Sequence, residues 1–295
     1  MKVMTAVFSY NRGQLLSNCV RSIERFSPET EIVVFDDGSD DEITQRSLEA
    51  IRSRGHQVLV NADIASASRG NLYANMNHAL ELAGERGFPL LHLMQDDLQF
   101  VWRDPRLVDD IGALLAACSD AGQVLIHFWK RLSVDLSTVF ESVQAYRASR
   151  ALAAIGVVDV ERLSSHGFRF HASESASAAY AAERGLWSYG IPNPVVARVP
   201  WPMHARHRAM AGAEKESRAE FLVRPLDAGA IERLKTRSLQ TRPFGEDFVV
   251  PWGWRCWQPY PTGASYRIWL RSLIAIAVRR RSLAGLIPRR VGDRE

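Results

Sequence analysis

Along the first hundred residues, apolar and polar positions follow two alternating rhythms. Lys2 to Ser9 is a short, nearly continuous apolar run, and Gln14 to Phe26 sets Leu15, Leu16, Cys19, Val20 and Ile23 at helical spacing. Glu31 to Phe35 (EIVVF) is again strand-like and stops abruptly at Asp36-Asp37-Gly38-Ser39. The pattern then predicts a helix over Asp41 to Arg54 and a strand over Gln57 to Asn61. Asn71 to Arg86 reads as a helix with Leu72, Met76, Ala79, Leu80 and Ala83 on one face, and Leu90 to Met94 as a fourth strand closed by Gln95-Asp96-Asp97. This alternation predicts βαβ units, hence an α/β fold with a mainly parallel sheet covered by helices. In such open sheets the ligand crevice lies beyond the carboxyl ends of the strands. Ser9-Tyr10-Asn11, Asp36-Asp37 and Asp96-Asp97 fall at those ends.

Beyond Asp97 the rhythm loosens. Asp104 to Cys118 and Ser173 to Arg184 read as helices, Gln123 to Trp129 and Pro194 to Val199 as strands, and Asp159 to Leu163 as a short element. Near Met210 the composition turns charged and then Trp- and Pro-rich, as in PWGWRCWQPYP from Pro251 to Pro261. A boundary there divides the chain into a catalytic-type domain over 1–210 and a helical or irregular extension over 211–295.

Composition narrows the classes of function. The 295 residues are 46% apolar and 24% charged, which is ordinary globular usage. The net charge of +4 is unevenly spread: from Arg255 to Glu295 nine Arg face Asp293 and Glu295, giving 9 − 2 = +7 and leaving 4 − 7 = −3 for the rest. A basic tail on a slightly acidic body suggests an anionic partner, against the plainer reading of a solvated Arg-rich terminus. Cys19, Cys118 and Cys256 are widely spaced and form no zinc-like pattern, so free thiols in a reducing, cytoplasmic compartment are expected. The opening MKVMTAVFSYNR reads as a first strand and not a signal peptide, and Ile268 to Val278, broken by Arg271, is too short to span a bilayer. No nucleic-acid motif accompanies the basic residues.

Four segments in order, FSYNR (Phe8 to Arg12), VVFDDGSDD (Val33 to Asp41), RGNLYANMNHALELA (Arg69 to Ala83) and LMQDD (Leu93 to Asp97), resemble family-2 glycosyltransferases of the GT-A fold. The resemblance covers roughly the first third of the chain and fades after about Phe100. It implies a GT-A, Rossmann-like sheet and a nucleotide-diphosphate sugar as donor. The chemistry agrees with this on independent grounds. An aspartate at a strand end accepts a hydrogen bond from a pyrimidine imino N–H, and Tyr10 offers a ring for stacking. A departing nucleoside diphosphate needs its growing charge neutralised, which a hard divalent cation on one or two carboxylates supplies.

The resemblance implies a role for each position. Asp37 takes the base, with Asp36 a turn or helix-cap residue; Ser9, Tyr10, Asn11 and Arg69 line the nucleotide. Asp96 lies nearer the ribose, and Asp97 holds Mg²⁺ or Mn²⁺, Gln95 standing where the family's first acid usually is. Glu174, after Ser173, matches the general base that deprotonates the acceptor, although Ser175 replaces the usual second acid. Asp135 and Asp159 are the fallback bases. His204 is a candidate second metal ligand. The expected reaction is an inverting, metal-assisted transfer from a UDP- or dTDP-type sugar to a hydroxyl of a glycan or lipid-linked saccharide. Residues 266–290, with Trp269, Leu273 and Ile276 on one helical stripe and arginines beside it, fit an anionic membrane surface and a peripheral location at its inner face. Two rivals stand beside this reading: a catalytically silent nucleotide-binding subunit, and a sugar nucleotidylyltransferase, whose Gly-rich first loop is missing here.

Overall fold

The computed structural model describes residues 1–61, 71–129, 138–149, 151–152, 154–199 and 222–249. Four strands follow the predicted rhythm: β1 (Val3–Ser9), β2 (Glu31–Asp36), β3 (Gln57–Val60) and β4 (Leu90–Gln95). The helices between them are α1 (Gly13–Phe26), α2 (Glu42–Ser53) and α3 (Leu72–Glu85). These strands pair in parallel in the order β3-β2-β1-β4. Their cores (AVF, IVVF, LLHLM) are apolar on both faces because helices cover both faces.

The sheet continues beyond β4. β5 (Leu98–Phe100) leaves it, α4 (Leu107–Ala117) follows, and β6 (Ala121–Leu125) returns to it. Then come β7 (Thr138–Phe140), β8 (Ala145–Arg147), β9 (Gly156–Asp159), α5 (Val160–Ser165), α6 (Glu174–Glu183), β10 (Trp187–Gly190) and β11 (Val196–Arg198). The described sheet has nine strands in the order β3-β2-β1-β4-β9-β6-β10-β8-β7. β9 runs antiparallel to β4 and β6, and β8 antiparallel to β10 and β7, so the other seven share one direction. The fold is therefore an α/β fold built on a mainly parallel sheet. β5 and β11 form a separate antiparallel pair, with Leu98 opposite Arg198 and Phe100 opposite Val196.

Two apolar layers sandwich the sheet. Leu16, Cys19, Val20 and Ile23 of α1, Leu48 and Ile51 of α2 and Ile111 and Leu114 of α4 pack on one face. Met76, Ala79, Leu80 and Ala83 of α3, Leu163 of α5 and Ala181 of α6 pack on the other. Each fully buried Val, Leu, Ile or Phe contributes about 1.5–3 kcal/mol, so these layers anchor the strand ends that carry the polar residues. Helix starts are fixed by side-chain caps: Asp41 accepts from Thr44 N, Asp159 from Arg162 N and Ser173 from Ala176 N. Residues 222–249 contain α7 (Ala228–Thr236) and α8 (Gly245–Phe248). Val223 and Leu234 join the first apolar layer, and Leu226 N donates to Val101 O at 2.8 Å.

Candidate active site

The order β3-β2-β1-β4 reverses direction between β1 and β4, and a crevice opens beyond the carboxyl ends on either side of such a switch point. The four ends are tied together by backbone bonds: Asp37 N donates to Ser9 O at 3.0 Å, Asp96 N to Phe8 O at 3.1 Å and Asn61 N to Asp36 O at 2.9 Å. Ser9, Asp36-Asp37, Asn61 and Asp96-Asp97 thus share one rim.

On the β4 side, both carboxylates are buried, Asp96 at 2% exposure and Asp97 at 4%. Leu98 continues as a strand and not a helix, so these acids are not a helix start. Asp96 Oδ1 accepts from Arg12 Nη1 at 2.9 Å, and Oδ2 accepts from Ser9 Oγ at 3.1 Å. Burial pushes the Asp96 carboxyl up; the Arg12 guanidinium offsets part of this, and the neighbouring Asp97 charge adds to it. Asp97 Oδ2 accepts from Arg198 Nη1 at 2.8 Å. The β5–β11 pair holds this contact in register, for Val199 N donates to the Asp97 backbone oxygen at 2.7 Å. Asp97 Oδ1 is buried with no hydrogen-bond partner. Beneath the pair, burial first and then the charges of Asp96 and Asp97 push the Cys19 thiol well up, so it stays protonated.

On the β2 side the two aspartates divide their work. Asp36, fully buried, accepts from Ser39 N at 2.7 Å and Ser39 Oγ at 2.6 Å, closing the turn; the helix cap itself is Asp41. Asp37 is half-buried and faces the rim. Its Oδ2 accepts from Asn71 N at 2.9 Å and its Oδ1 from Asn75 Nδ2 at 2.5 Å. Asn61 Nδ2 donates to Asn75 Oδ1, which fixes the Asn75 amide with its NH₂ toward Asp37. Burial raises the Asp37 carboxyl, the two donors lower it, and Asp36 raises it further. Asn77, two residues on, points away and exchanges hydrogen bonds with the Phe170 backbone, as a spacing of two on a helix requires.

The loop after β1 joins the two sides. Tyr10 is 52% exposed. Asn11 adopts a left-handed φ of 50°, which Asn tolerates better than most residues. Its Nδ2 donates to Asp40 Oδ1 at 2.7 Å, and its Oδ1 accepts from Asp40 N at 3.0 Å. Asn11 therefore acts as a clamp on the β2–α2 turn. Next to it, a Cβ on Gly13 would come within 2.5 Å of Thr44 Cα, so α1 meets α2 at a spot only glycine fills.

Of the other expected residues, Asp159 lies apart from the rim and several lie outside the described residues. Glu174 is exposed at the first turn of α6, behind its cap Ser173. Asp159 pairs in register with Leu90, at the opposite end of β4 from Asp96, and caps α5. At about 3.3 Å per residue that is roughly 20 Å from the carboxylate pair, so it does not serve as a base there. Arg69, Asp135, His204 and 266–290 lie outside the described residues. Arg12, Arg198 and Asn75 reach the rim without having been assigned a role from sequence. Arg12 sits within the FSYNR run, whereas Arg198 is brought in only by the β5–β11 pairing.

The donor set can be set against a divalent cation. Among the described residues no group of three His, Cys, Asp or Glu side chains converges. Asp97 Oδ1 is the one carboxylate oxygen in the pair without a donor. That suits a hard cation drawing one ligand from the protein and the rest from phosphate and water, the habit of Mg²⁺.

Comparisons bear on the same segment. Residues 5–107 match the model of the family described as Glycosyl transferase family 2. Among curated proteins no relative matches the chain. Structures of similar proteins include S. aureus TarS, at 15% identity over 75% of this chain and 42% of that one, with a TM-score of 0.48. The 1–349 segment of TarS in complex with UDP-GlcNAc aligns at 16% identity over 74% of this chain and 61% of that one, with a TM-score of 0.49. A mannosyltransferase from Pyrobaculum calidifontis, PcManGT, in complex with GDP-Man and Mn²⁺, aligns at 20% identity over 68% and 57%, with a TM-score of 0.44. The match covers less than half of that TarS chain.

Proposed function

We infer that this chain, whose residues 5–107 match the model of glycosyl transferase family 2, moves a sugar from a nucleoside-diphosphate donor of UDP or dTDP type to an acceptor hydroxyl. The observation that carries this reading is the gathering of Asp37, Asp96 and Asp97 on one rim at the strand-order switch point. A carboxylate has about four lone-pair sites, so Asp37 retains acceptor capacity for a base imino N–H beside the donors from Asn71 and Asn75. Exposed Tyr10 offers its ring to the base. Asp96, held by Ser9 and Arg12, faces the ribose.

A divalent Mg²⁺ or Mn²⁺, when bound, neutralises the charge that grows on the departing diphosphate. Asp97 would hold it through Oδ1, with His204 a further candidate ligand. Arg69 is assigned to the pyrophosphate. Glu174 is the candidate base for an inverting attack by a hydroxyl of a glycan or lipid-linked saccharide. Among the described residues no helix is long and apolar enough to cross a membrane. Residues 266–290 are the candidate contact with an anionic membrane surface, which would bring the enzyme to a lipid-linked acceptor.

The deciding experiment measures release of nucleoside diphosphate from UDP-, dTDP- and GDP-sugars by purified protein, with and without Mn²⁺, beside thermal shifts with the free diphosphates. A ligand bound only by the native state raises its stability. Turnover with one donor class, lost in Asp97→Asn while the fold persists, is expected. Stabilisation without turnover on any acceptor would favour the silent nucleotide-binding subunit. No stabilisation by any diphosphate would end the reading.

A further inference from the structure

The carboxylate pair is already matched by two cations of the protein's own. Arg12 pairs with Asp96, and Arg198 pairs with Asp97, the contact to Arg198 being held by the antiparallel β5–β11 ladder. Arg198 is one-quarter exposed, so it has room to leave, whereas Asp97 is buried and keeps one oxygen unpartnered. A buried carboxylate whose partner leaves without replacement is strongly disfavoured. Arg198 therefore leaves Asp97 only if another cation arrives as it goes.

We propose that Arg198 is an internal competitor for the divalent cation, released from Asp97 when a nucleoside diphosphate binds. The diphosphate oxygens take the guanidinium, whose planar donors suit phosphate as well as carboxylate. Both Asp97 oxygens then become available to the cation, which also meets the same phosphates. In the free enzyme Arg198 suppresses metal binding; with diphosphate present the two charges exchange partners. The proposal rests on the nucleotide reading above and adds a residue and an order of events to it.

The test titrates Mn²⁺ into the full-length protein and follows loss of the free-ion electron paramagnetic resonance signal, with and without UDP, dTDP or GDP. Wild-type protein should bind Mn²⁺ weakly alone and more tightly with whichever diphosphate stabilises it, by a factor within the usual 5–150-fold of linked sites. Linkage requires Mn²⁺ to tighten that diphosphate by the same factor. Arg198→Gln should bind Mn²⁺ about fivefold or more tightly than wild type without any nucleotide, and its coupling factor should shrink. Arg198→Lys keeps a point charge and should retain most of the suppression, and Asp97→Asn in the Arg198→Gln background should remove the gained affinity. Thermal melting shows that each variant is folded, and Arg198→Met replaces Arg198→Gln if that variant fails.

Two results overturn the proposal while leaving the nucleotide reading intact. One is folded Arg198→Gln with nucleotide-free Mn²⁺ affinity within about twofold of wild type. The other is wild type binding Mn²⁺ equally with and without its diphosphate. If no diphosphate binds any variant, the nucleotide reading falls and the exchange falls with it.

Discussion

His92 gives the fold a specific weakness to acid. It lies in the middle of β4, four residues before Asp96, at 3% exposure, with its ring edge-on to Phe100 at 5.7 Å between centroids. Burial lowers its pKa from 6.5 to about 3. A group protonated more readily in the unfolded chain than in the native state draws the equilibrium toward unfolding as pH falls. Its contribution is fully present above pH 6.5, declines below that, and is exhausted near pH 3. Each pH unit in that window costs about 1.4 kcal/mol. At pH 5 the loss is 6.5 − 5 = 1.5 units, or about 2 kcal/mol, and over the whole window 6.5 − 3 = 3.5 units, or about 5 kcal/mol. A domain typically has only about 5–15 kcal/mol in total. The assay is urea unfolding of wild type and His92→Leu at pH 7.5, 6 and 5. Carboxylates titrate alike in both proteins, so the difference between them isolates the imidazole. Wild type should lose about 2 kcal/mol relative to His92→Leu between pH 7.5 and 5, whatever the offset at pH 7.5. A difference constant to within about 0.5 kcal/mol across that range, with equal denaturant slopes, would show that the imidazole is not held neutral by burial.

Glu174→Gln should keep donor binding and lose transfer by roughly 10²-fold or more, the usual scale for a positioned base; near wild-type transfer would send the search for the base elsewhere. Residues 266–290 should carry the protein upward in flotation with anionic liposomes at low salt and release it at high salt. Protein that stays at the bottom at low salt ends the membrane assignment.

The part of the fold legible in the sequence is the part whose signals are local. EIVVF followed by Asp36-Asp37-Gly38-Ser39 shows a buried strand, its end and its turn within nine residues, and β2 ends at Asp36. The helix face of Leu72, Met76, Ala79, Leu80 and Ala83 is legible because a period of 3.6 repeats over about three turns, and Met76, Ala79, Leu80 and Ala83 are buried. Strands of three or four residues, β5, β7, β8 and β10, leave no such repeat. Their existence depends on partners far along the chain, such as Phe100 with Val196. The site divides along the same line. Asp37, Asp96 and Asp97 are visible because a carboxylate at the end of an apolar run is a local event. Asn75 is visible as a helix residue, but its orientation depends on Asn61, which comes from the end of β3. Arg198 is separated from Asp97 by 101 positions and announces itself by no motif.

The arginines change what the motif means electrostatically. Two adjacent buried aspartates alone would form a strongly negative site, drawing in any divalent cation. With Arg12 and Arg198 paired to them, the four charges sum to zero before any ligand arrives. A divalent cation added alone would leave this four-charge cluster with excess positive charge at low dielectric. A sugar diphosphate added alone would leave it with excess negative charge, and uncompensated charge at such sites is costly. Added together, the doubly charged cation and the two anionic phosphates cancel, and the cluster of Asp96, Asp97, Arg12 and Arg198 stays neutral. A neutral resting site therefore favours taking up the metal and the donor as a pair over either one alone. Replacing either arginine by a neutral side chain tilts that balance toward the bare cation, which is why the nucleotide-free metal titration reads the arrangement so directly.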